Sequence, residues 1–115
     1  MKIIIRTKNL QLTGELKSFI EEKIISLKKF VDVLKREEEK HTLAEVFFEI
    51  EKETRHHNKG EVFRCQAKIF LPGRKIMAKS AGDDLLLTVV EIKDKLQQEI
   101  KKYKEKTIAV KRRKQ

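Results

Sequence analysis

Residues Asp83 to Lys106, DDLLLTVVEIKDKLQQEIKKYKEK, decide the fold of this chain. Apolar side chains recur in this stretch at steps of three and four residues, at Leu85, Val89, Ile92, Leu96, Ile100 and Tyr103. This spacing places them on one face of a helix, because an α-helix completes a turn about every 3.6 residues. Asp83 and Asp84 precede the first turn, where the helix dipole favours negative charge. The stretch therefore predicts a long amphipathic helix that packs its apolar stripe on a core.

The end of this helix and the residues that follow it are strongly basic. From Lys101 to Gln115 the chain has eight Lys or Arg residues and one acid, which give +7 of the formal net charge of +10. A charge of this size favours a polyanionic partner, with nucleic acid first and an anionic membrane surface second. We expect a domain of residues 1–106 and a basic, disordered tail of residues 107–115. For that tail, a solubilising role and contact with RNA are equally open.

The size of the chain and its cysteine count narrow the class of protein. A chain of 115 residues is enough for one two-layer domain with a single core. No apolar run approaches the roughly 20 residues that span a bilayer, and no apolar segment with a cleavage site opens the chain. The single cysteine, Cys65, cannot form an internal disulfide, which fits a reducing compartment. We therefore expect a cytoplasmic protein without membrane contact.

The N-terminal third predicts a strand and then a helix. In Lys2 to Lys8, Ile3 and Ile5 share one face of a short strand. Thr13 is a good helix cap, and the helix that follows should end near Val33. Its apolar stripe is formed by Leu16, Phe19, Ile20, Ile24, Leu27, Val31 and Leu34. Residues 35–41, KREEEKH, have no apolar period and are predicted to be a solvated charge run.

The middle of the chain alternates apolar and polar residues and predicts three strands. The strands cover residues 43–52, 61–71 and 74–80, and the apolar side chains that share one face are Ala44, Val46, Phe48, Ile50, Phe63, Cys65, Ala67, Ile69, Leu71, Ile76 and Ala78. Residues 55–60 form the first turn, and Pro72 with Gly73 fits the centre of a type II turn. Strands joined by such turns must be antiparallel.

The predicted order is β-α-β-β-β-α, an α+β fold. Both helices can pack on one face of a four-stranded sheet and leave the other face wet. The first strand reaches the sheet through a helical crossover, so we expect it to pair parallel with a strand of the meander.

Candidate catalytic and metal sites are weak in this sequence. His41, His56, His57 and Cys65 lack the paired spacing of structural zinc ligands. Cys65 falls on the same side of its strand as the predicted core residues, which predicts a small buried hydrophobic side chain rather than a nucleophile. No acid, base and nucleophile converge, so we expect no enzyme, no catalytic residue, no metal site and no cofactor.

Several charged and aromatic side chains are predicted on the wet face of the sheet. Glu45, Glu49 and Glu51 lie side by side there and can pair with Lys or Arg of neighbouring strands. Phe47 and Phe70 share the face; they could stack on bases, but a cross-strand pair is the favoured interpretation.

Three stretches of the sequence resemble a known family. They are IIIRTKNLQLTGELKSFIEEKIISL (3–27), HHNKGEVFRCQAKIFLPGRKIMAKSAGDDL (56–85) and DKLQQEIKKYKEK (94–106). In this order and spacing they are similar to the ribosome hibernation promoting factor family, which includes the ribosome-associated inhibitor also described as a ribosomal subunit interface protein. The resemblance covers roughly residues 1–106.

The resemblance implies a fold similar to a double-stranded-RNA-binding domain and a role as a translational silencer. Such a protein contacts rRNA of the small ribosomal subunit in the mRNA and tRNA channel and stabilises inactive joined ribosomes. The family's basic positions match Lys23, Lys95, Lys102, Lys104 and Lys106, and Lys79 and Lys101 complete the predicted rRNA-binding set. The free chain is expected to be a monomer. The alternatives are a general RNA-binding module or RNA chaperone, or lysines that only solvate a surface helix.

Overall fold

The computed structural model describes residues 1–41, 43–54 and 60–113; for residues 54 and 107–113 it describes the backbone only. The turn predicted at residues 55–60 lies almost entirely outside the described residues. The elements, in chain order, are β1 (Lys2–Lys8), α1 (Gly14–Ile25), α2 (Lys28–Leu34), a 3-10 turn (Glu37–Glu39), β2 (Glu45–Thr54), β3 (Glu61–Leu71), β4 (Arg74–Gly82) and α3 (Leu85–Arg113).

The four strands form one mixed sheet in the order β1-β2-β3-β4. β1 pairs parallel with β2 at one edge, with Ile3 opposite Val46. β2 pairs antiparallel with β3, and β3 with β4, so Val46, Ile69 and Ile76 continue the same row. The α+β fold, the strand directions and the parallel crossover are confirmed.

The β3–β4 hairpin has the predicted two-residue turn. Leu71 and Arg74 form its last pair, so Pro72 and Gly73 occupy the two central positions. Gly73 has φ +70°, a left-handed conformation that a residue with a side chain adopts at a cost. Proline cannot take positive φ, and this combination identifies the type II turn.

The core lies between one face of the sheet and the helices. The inward side chains of the strands are buried together with the apolar stripes of the helices, namely Leu16, Ile20, Ile24, Leu27, Val31, Val46, Phe48, Ile50, Cys65, Ala67, Ile69, Ile76, Ala78, Val89, Ile92, Leu96 and Ile100. Asp84 caps α3, because its Oδ1 accepts the Leu87 N–H at 3.1 Å. Thr88, which the stripe did not include, is also buried and donates its hydroxyl to the Asp84 carbonyl at 2.7 Å.

The first helix differs from the prediction because it is interrupted. α1 ends at Ile25 and α2 begins at Lys28. At the break, the Leu27 N–H donates to the Ile24 carbonyl at 2.9 Å, three residues back instead of four. The Ser26 hydroxyl donates to the Lys23 carbonyl, which a continuous helix would use for its own ladder. The tightened turn keeps Leu27 buried, so the apolar stripe continues across it.

Residues 35–41 are not simply a solvated charge run, because Glu39 in the 3-10 turn is only 5% exposed. Its carboxylate accepts two hydrogen bonds from Arg74, Nη2 to Oε1 at 3.0 Å and Nη1 to Oε2 at 3.3 Å. Arg74 also donates from Nη2 to the Leu34 carbonyl at 2.9 Å, and its guanidinium lies 5.9 Å from the centre of the Tyr103 ring. This ion pair ties the connection before β2 to the hairpin and to α3.

The backbone of α3 continues to Arg113, past the predicted end at Lys106. Residues 107–115 contain no Pro or Gly, so the sequence carries no strong helix breaker there. The division into a domain of residues 1–106 and a tail of residues 107–115 stays a prediction.

Candidate nucleic-acid interface

One flank of α3 lies along the free edge of β4 and is lined with lysines. Lys95 and Lys102 are seven residues apart, which is about two turns, and Lys106 follows one turn later. Lys75 and Lys79 of β4 are exposed beside them. The Nζ of Lys95 donates to the backbone carbonyl of Lys79 at 2.8 Å, which fixes the helix flank against the strand. We call these five residues the basic flank.

The basic flank borders a shallow groove of about 510 Å³ between α3 and β4. Its walls include Lys75 and Met77 from the strand and Lys102, Tyr103 and Lys106 from the helix. The rigidity of these walls comes from the core, because the opposite face of α3 is buried against the sheet. Lysine ammonium groups are therefore held on fixed elements at both sides of a groove.

Acids lie among these lysines and lower the local charge, including Glu105, which lines the groove. Glu99 accepts from Lys102 Nζ at 3.3 Å, and Glu91 accepts from the Ser80 hydroxyl at 2.6 Å. Both contacts involve exposed groups, where ion pairs contribute little to stability. A phosphate can replace Glu99 as the partner of Lys102 at small cost, and Lys95 keeps two further N–H donors besides the one it uses.

The predicted rRNA-binding lysines do not form one surface. Lys79, Lys95, Lys102 and Lys106 meet on the basic flank. Lys101 and Lys104 are exposed on other sides of α3, because each residue along a helix turns by about 100°. Lys23 is on α1, with its Nζ 5.3 Å from the centre of the Phe19 ring.

Lys75 was missing from the predicted set, although it belongs to the basic flank. The signal was present in the sequence, because Lys75, Met77 and Lys79 alternate along one strand and so point to the same face. That alternation predicts an outward row, but the closeness of Lys75 to α3 depends on the tertiary fold.

The face of the sheet away from the helices is covered by no element among the described residues, and we call it the open sheet face. Part of it is charged and paired. Lys8 and Glu51 lie 3.5 Å apart, as the sequence predicted for the acid row, and Arg64 and Glu53 lie 3.0 Å apart. Phe47 and Phe70 form the predicted cross-strand pair, with ring centroids 5.5 Å apart and an interplanar angle of 87°.

Residues with reactive or metal-binding side chains do not converge in the part of the chain described. Burial raises the pKa of the Cys65 thiol to about 12, so the thiolate is scarce at neutral pH. No group of three His, Cys, Asp or Glu side chains among the described residues could hold a metal ion. His56 and His57 lie outside the described residues.

None of the helices in the described ranges is long and apolar enough to cross a membrane.

Two solved structures share this fold. The chain is 21% identical to a ribosomal subunit interface protein from Coxiella burnetii, with a TM-score of 0.67 over 91% of this chain and 99% of that one. It is 17% identical to the N-terminal domain of Protein Y from Thermus thermophilus, with a TM-score of 0.63 over 90% of this chain and 99% of that domain. A comparison with curated proteins gives no significant match.

The family comparison extends over nearly the whole chain. The model of the family described as "Sigma 54 modulation protein / S30EA ribosomal protein" matches residues 3–108, which include β1 from its second residue, the other three strands and the described side chains of α3. The chain therefore belongs to the sigma 54 modulation protein / S30EA ribosomal protein family.

Proposed function

We propose that this protein is a translational silencer that binds the small ribosomal subunit and stabilises inactive joined ribosomes. The observation that carries the proposal is the basic flank, five lysines on two packed elements, in a chain whose residues 3–108 match a ribosomal family. The proposed mode of action is occupancy: the domain fills space in the mRNA and tRNA channel, and it needs no catalytic group to do so.

Phosphate neutralisation supplies the affinity in this proposal. Each lysine that approaches a phosphate releases condensed counterions from the RNA, which favours binding without reading a base. Because the basic flank is fixed by the core and by the Lys95 contact, little conformational entropy of the backbone is lost on binding. rRNA suits such a surface, since its folded backbone holds phosphates at fixed positions.

Co-sedimentation with separated small subunits, large subunits and joined ribosomes tests the proposal. Lys102→Glu together with Lys106→Glu should reduce association with small subunits at least about tenfold, because both substitutions place negative charge on the basic flank. The matched control is Lys101→Glu with Lys104→Glu, which changes the net charge equally on other sides of α3. The control should keep most of the binding.

The outcomes separate the competing interpretations. Equal losses in both double variants would mean that overall charge, and not the basic flank, determines binding. Release of the protein from subunits by an excess of unrelated RNA would favour the general RNA-binding module. A wild-type protein that joins subunits but leaves cell-free translation unchanged would contradict the silencing role.

A further inference from the structure

An apolar patch lies on the open sheet face and belongs neither to the core nor to the basic flank. It consists of Ile4, Phe47, Phe70 and Met77, one residue from each strand, and we call it the aromatic patch. The register places Ile4 opposite Phe47 and Phe47 opposite Lys68, which in turn faces Met77. Phe70 is 36% exposed and Met77 is 39% exposed, so the patch presents a ring and a thioether to solvent.

The aromatic patch has a fixed shape. The edge-to-face contact of Phe47 and Phe70 holds both rings across neighbouring strands. The thioether of Met77 accepts from Gln66 Nε2 at 3.1 Å, which holds its side chain on the open sheet face. Single exposed apolar residues are ordinary on protein surfaces, but four on adjacent strands within two rows of the register form a surface that a ligand can use.

The charges around the aromatic patch are mostly positive. Lys2, Lys68 and Lys75 occupy the same two rows of the register, with Glu45 as the acid among them. Three other cations of the sheet are paired, in Lys8–Glu51, Lys52–Glu61 and Arg64–Glu53. Among the described residues, none of Lys2, Lys68 and Lys75 has an ion-pair partner within 4.0 Å, so their charge is available to a ligand.

We propose that the aromatic patch binds unpaired bases of a single-stranded RNA segment by stacking, while Lys2, Lys68 and Lys75 hold its phosphates. A four-stranded sheet with exposed aromatic side chains can stack about two or three bases in this way. Each base has a π-face, so the contact tolerates different sequences. A double helix cannot make this contact, because its bases are stacked on one another.

The patch and the basic flank form a continuous surface around the edge of β4. Lys75 of the basic flank and Met77 of the aromatic patch both line the groove with Lys102 and Lys106. A strand whose phosphates follow the basic flank reaches the aromatic patch by crossing one strand edge. The inference thereby deepens and rests on the proposed RNA binding, to which it adds a single-stranded segment.

A second copy of the chain is a poorer occupant. A twofold packing of two aromatic patches would bring the lysines of one copy close to those of the other, and the net charge of +10 opposes the approach of two chains. A nucleic acid supplies both of the missing complements, flat apolar faces for the rings and anions for the lysines.

Fluorescence anisotropy with two RNA probes tests the inference. One probe is an oligouridylate of about ten nucleotides, and the other has the same length and phosphates but abasic sugars. Phe70→Ala should weaken binding of the oligouridylate roughly 5- to 100-fold and leave the abasic probe within about twofold of wild type. Phe70→Tyr keeps the ring and should bind nearly as well as wild type.

Controls keep the result interpretable. Leu87→Ala truncates a side chain that is 54% exposed on α3 and belongs neither to the aromatic patch nor to the basic flank, so it should change neither probe. Phe70→Leu keeps apolar volume without a ring and replaces Phe70→Ala if that variant melts at a much lower temperature. Equal weakening of both probes, or no weakening of either, would overturn the stacking role. A concentration-dependent dimer in sedimentation that Phe70→Ala abolishes would instead assign the patch to a second copy.

The same variants separate this inference from the proposed function. If Phe70→Ala leaves oligouridylate binding unchanged while small-subunit binding still depends on Lys102 and Lys106, base stacking on the aromatic patch is contradicted and the proposed function is supported. If the Lys102 and Lys106 variant binds subunits normally while Phe70→Ala weakens oligouridylate binding, base stacking on the aromatic patch is supported and subunit binding through the basic flank is contradicted.

Discussion

Glu39 and Arg74 show how two residues 35 positions apart fix the joint between three elements. A buried ion pair stabilises a fold only when its geometry and its further hydrogen bonds offset the loss of hydration. Arg74 meets much of this condition, since it reaches both carboxylate oxygens and also the Leu34 carbonyl. Its Nε is buried and has no hydrogen-bond partner among the described residues, so the network is not fully satisfied.

Removing this ion pair should change how stability depends on pH. The hydrogen bond from Arg74, and after it the bond from the Arg36 backbone N–H, lowers the pKa of the Glu39 carboxyl below its ordinary value of 4.5. A depressed pKa in the folded state means stability that is present above pH 4.5 and is lost as pH falls through the folded-state pKa. Glu39→Gln should therefore melt lower than wild type at neutral pH, with a gap that narrows in acid.

Asp32→Asn provides a matched control for that measurement. The hydrogen bond from Lys28, together with the bond from Lys35, lowers the pKa of Asp32 in the same direction, but the Asp32 side chain is 38% exposed, against 7% for Glu39. Loss of the Asp32 charge should change the thermal midpoint much less. A constant gap between wild type and Glu39→Gln from neutral to acid pH would contradict the role assigned to the Glu39 charge.

Cys65 should resist thiol reagents in the folded protein. Its burial raises the pKa of the thiol to about 12, and the thiolate is the form that reacts. At pH 8 an alkylating reagent should modify the native protein far more slowly than the same chain in denaturant. Because the sequence has one cysteine, total labelling reports this site alone. Rapid labelling without denaturant would show that β3 opens readily.

At the scale of elements, periodicity predicted the strands and helices but not their interruptions. The apolar stripe passes through Leu27 and Val31 as if the helix were continuous, so the break between α1 and α2 left no trace in it. The only local sign was Ser26, whose hydroxyl can compete for a backbone carbonyl. The burial of Glu39 was beyond any local pattern, since its partner Arg74 belongs to a distant hairpin.

The packing of α3 on the sheet should account for a large part of the stability. Ile92 is fully buried in the centre of the stripe, and Ile92→Ala should lower the free energy of unfolding by about 2–5 kcal/mol through lost burial and a cavity. Leu87→Ala, on the exposed side of the same helix, should change it by no more than about 0.5 kcal/mol. Urea denaturation with an unchanged m-value measures both, and similar losses would mean that the helix is rotated from the described position.

For the whole molecule, the sequence predicted the family and the basic character, whereas the surface itself required the fold. Lys79 and Lys95 are 16 residues apart and meet only because α3 packs beside β4. Net charge alone could not show that Lys75 belongs to the basic flank, or that Lys101 and Lys104 lie outside it. Helical rotation and strand pairing make those choices, and both depend on contacts between distant parts of the chain.

The five lysines of the basic flank predict a definite response to salt. With one phosphate per lysine, the logarithm of the small-subunit binding constant should fall linearly against the logarithm of salt concentration, with a slope of roughly −4. Lys102→Gln with Lys106→Gln removes two contacts and should reduce the slope to roughly −2.5, whereas Lys101→Gln with Lys104→Gln should leave it near −4. Sedimentation across a salt series gives these slopes. A slope near zero would rule out phosphate neutralisation as the source of affinity, and equal slopes for the two variants would place the contacts elsewhere on the surface.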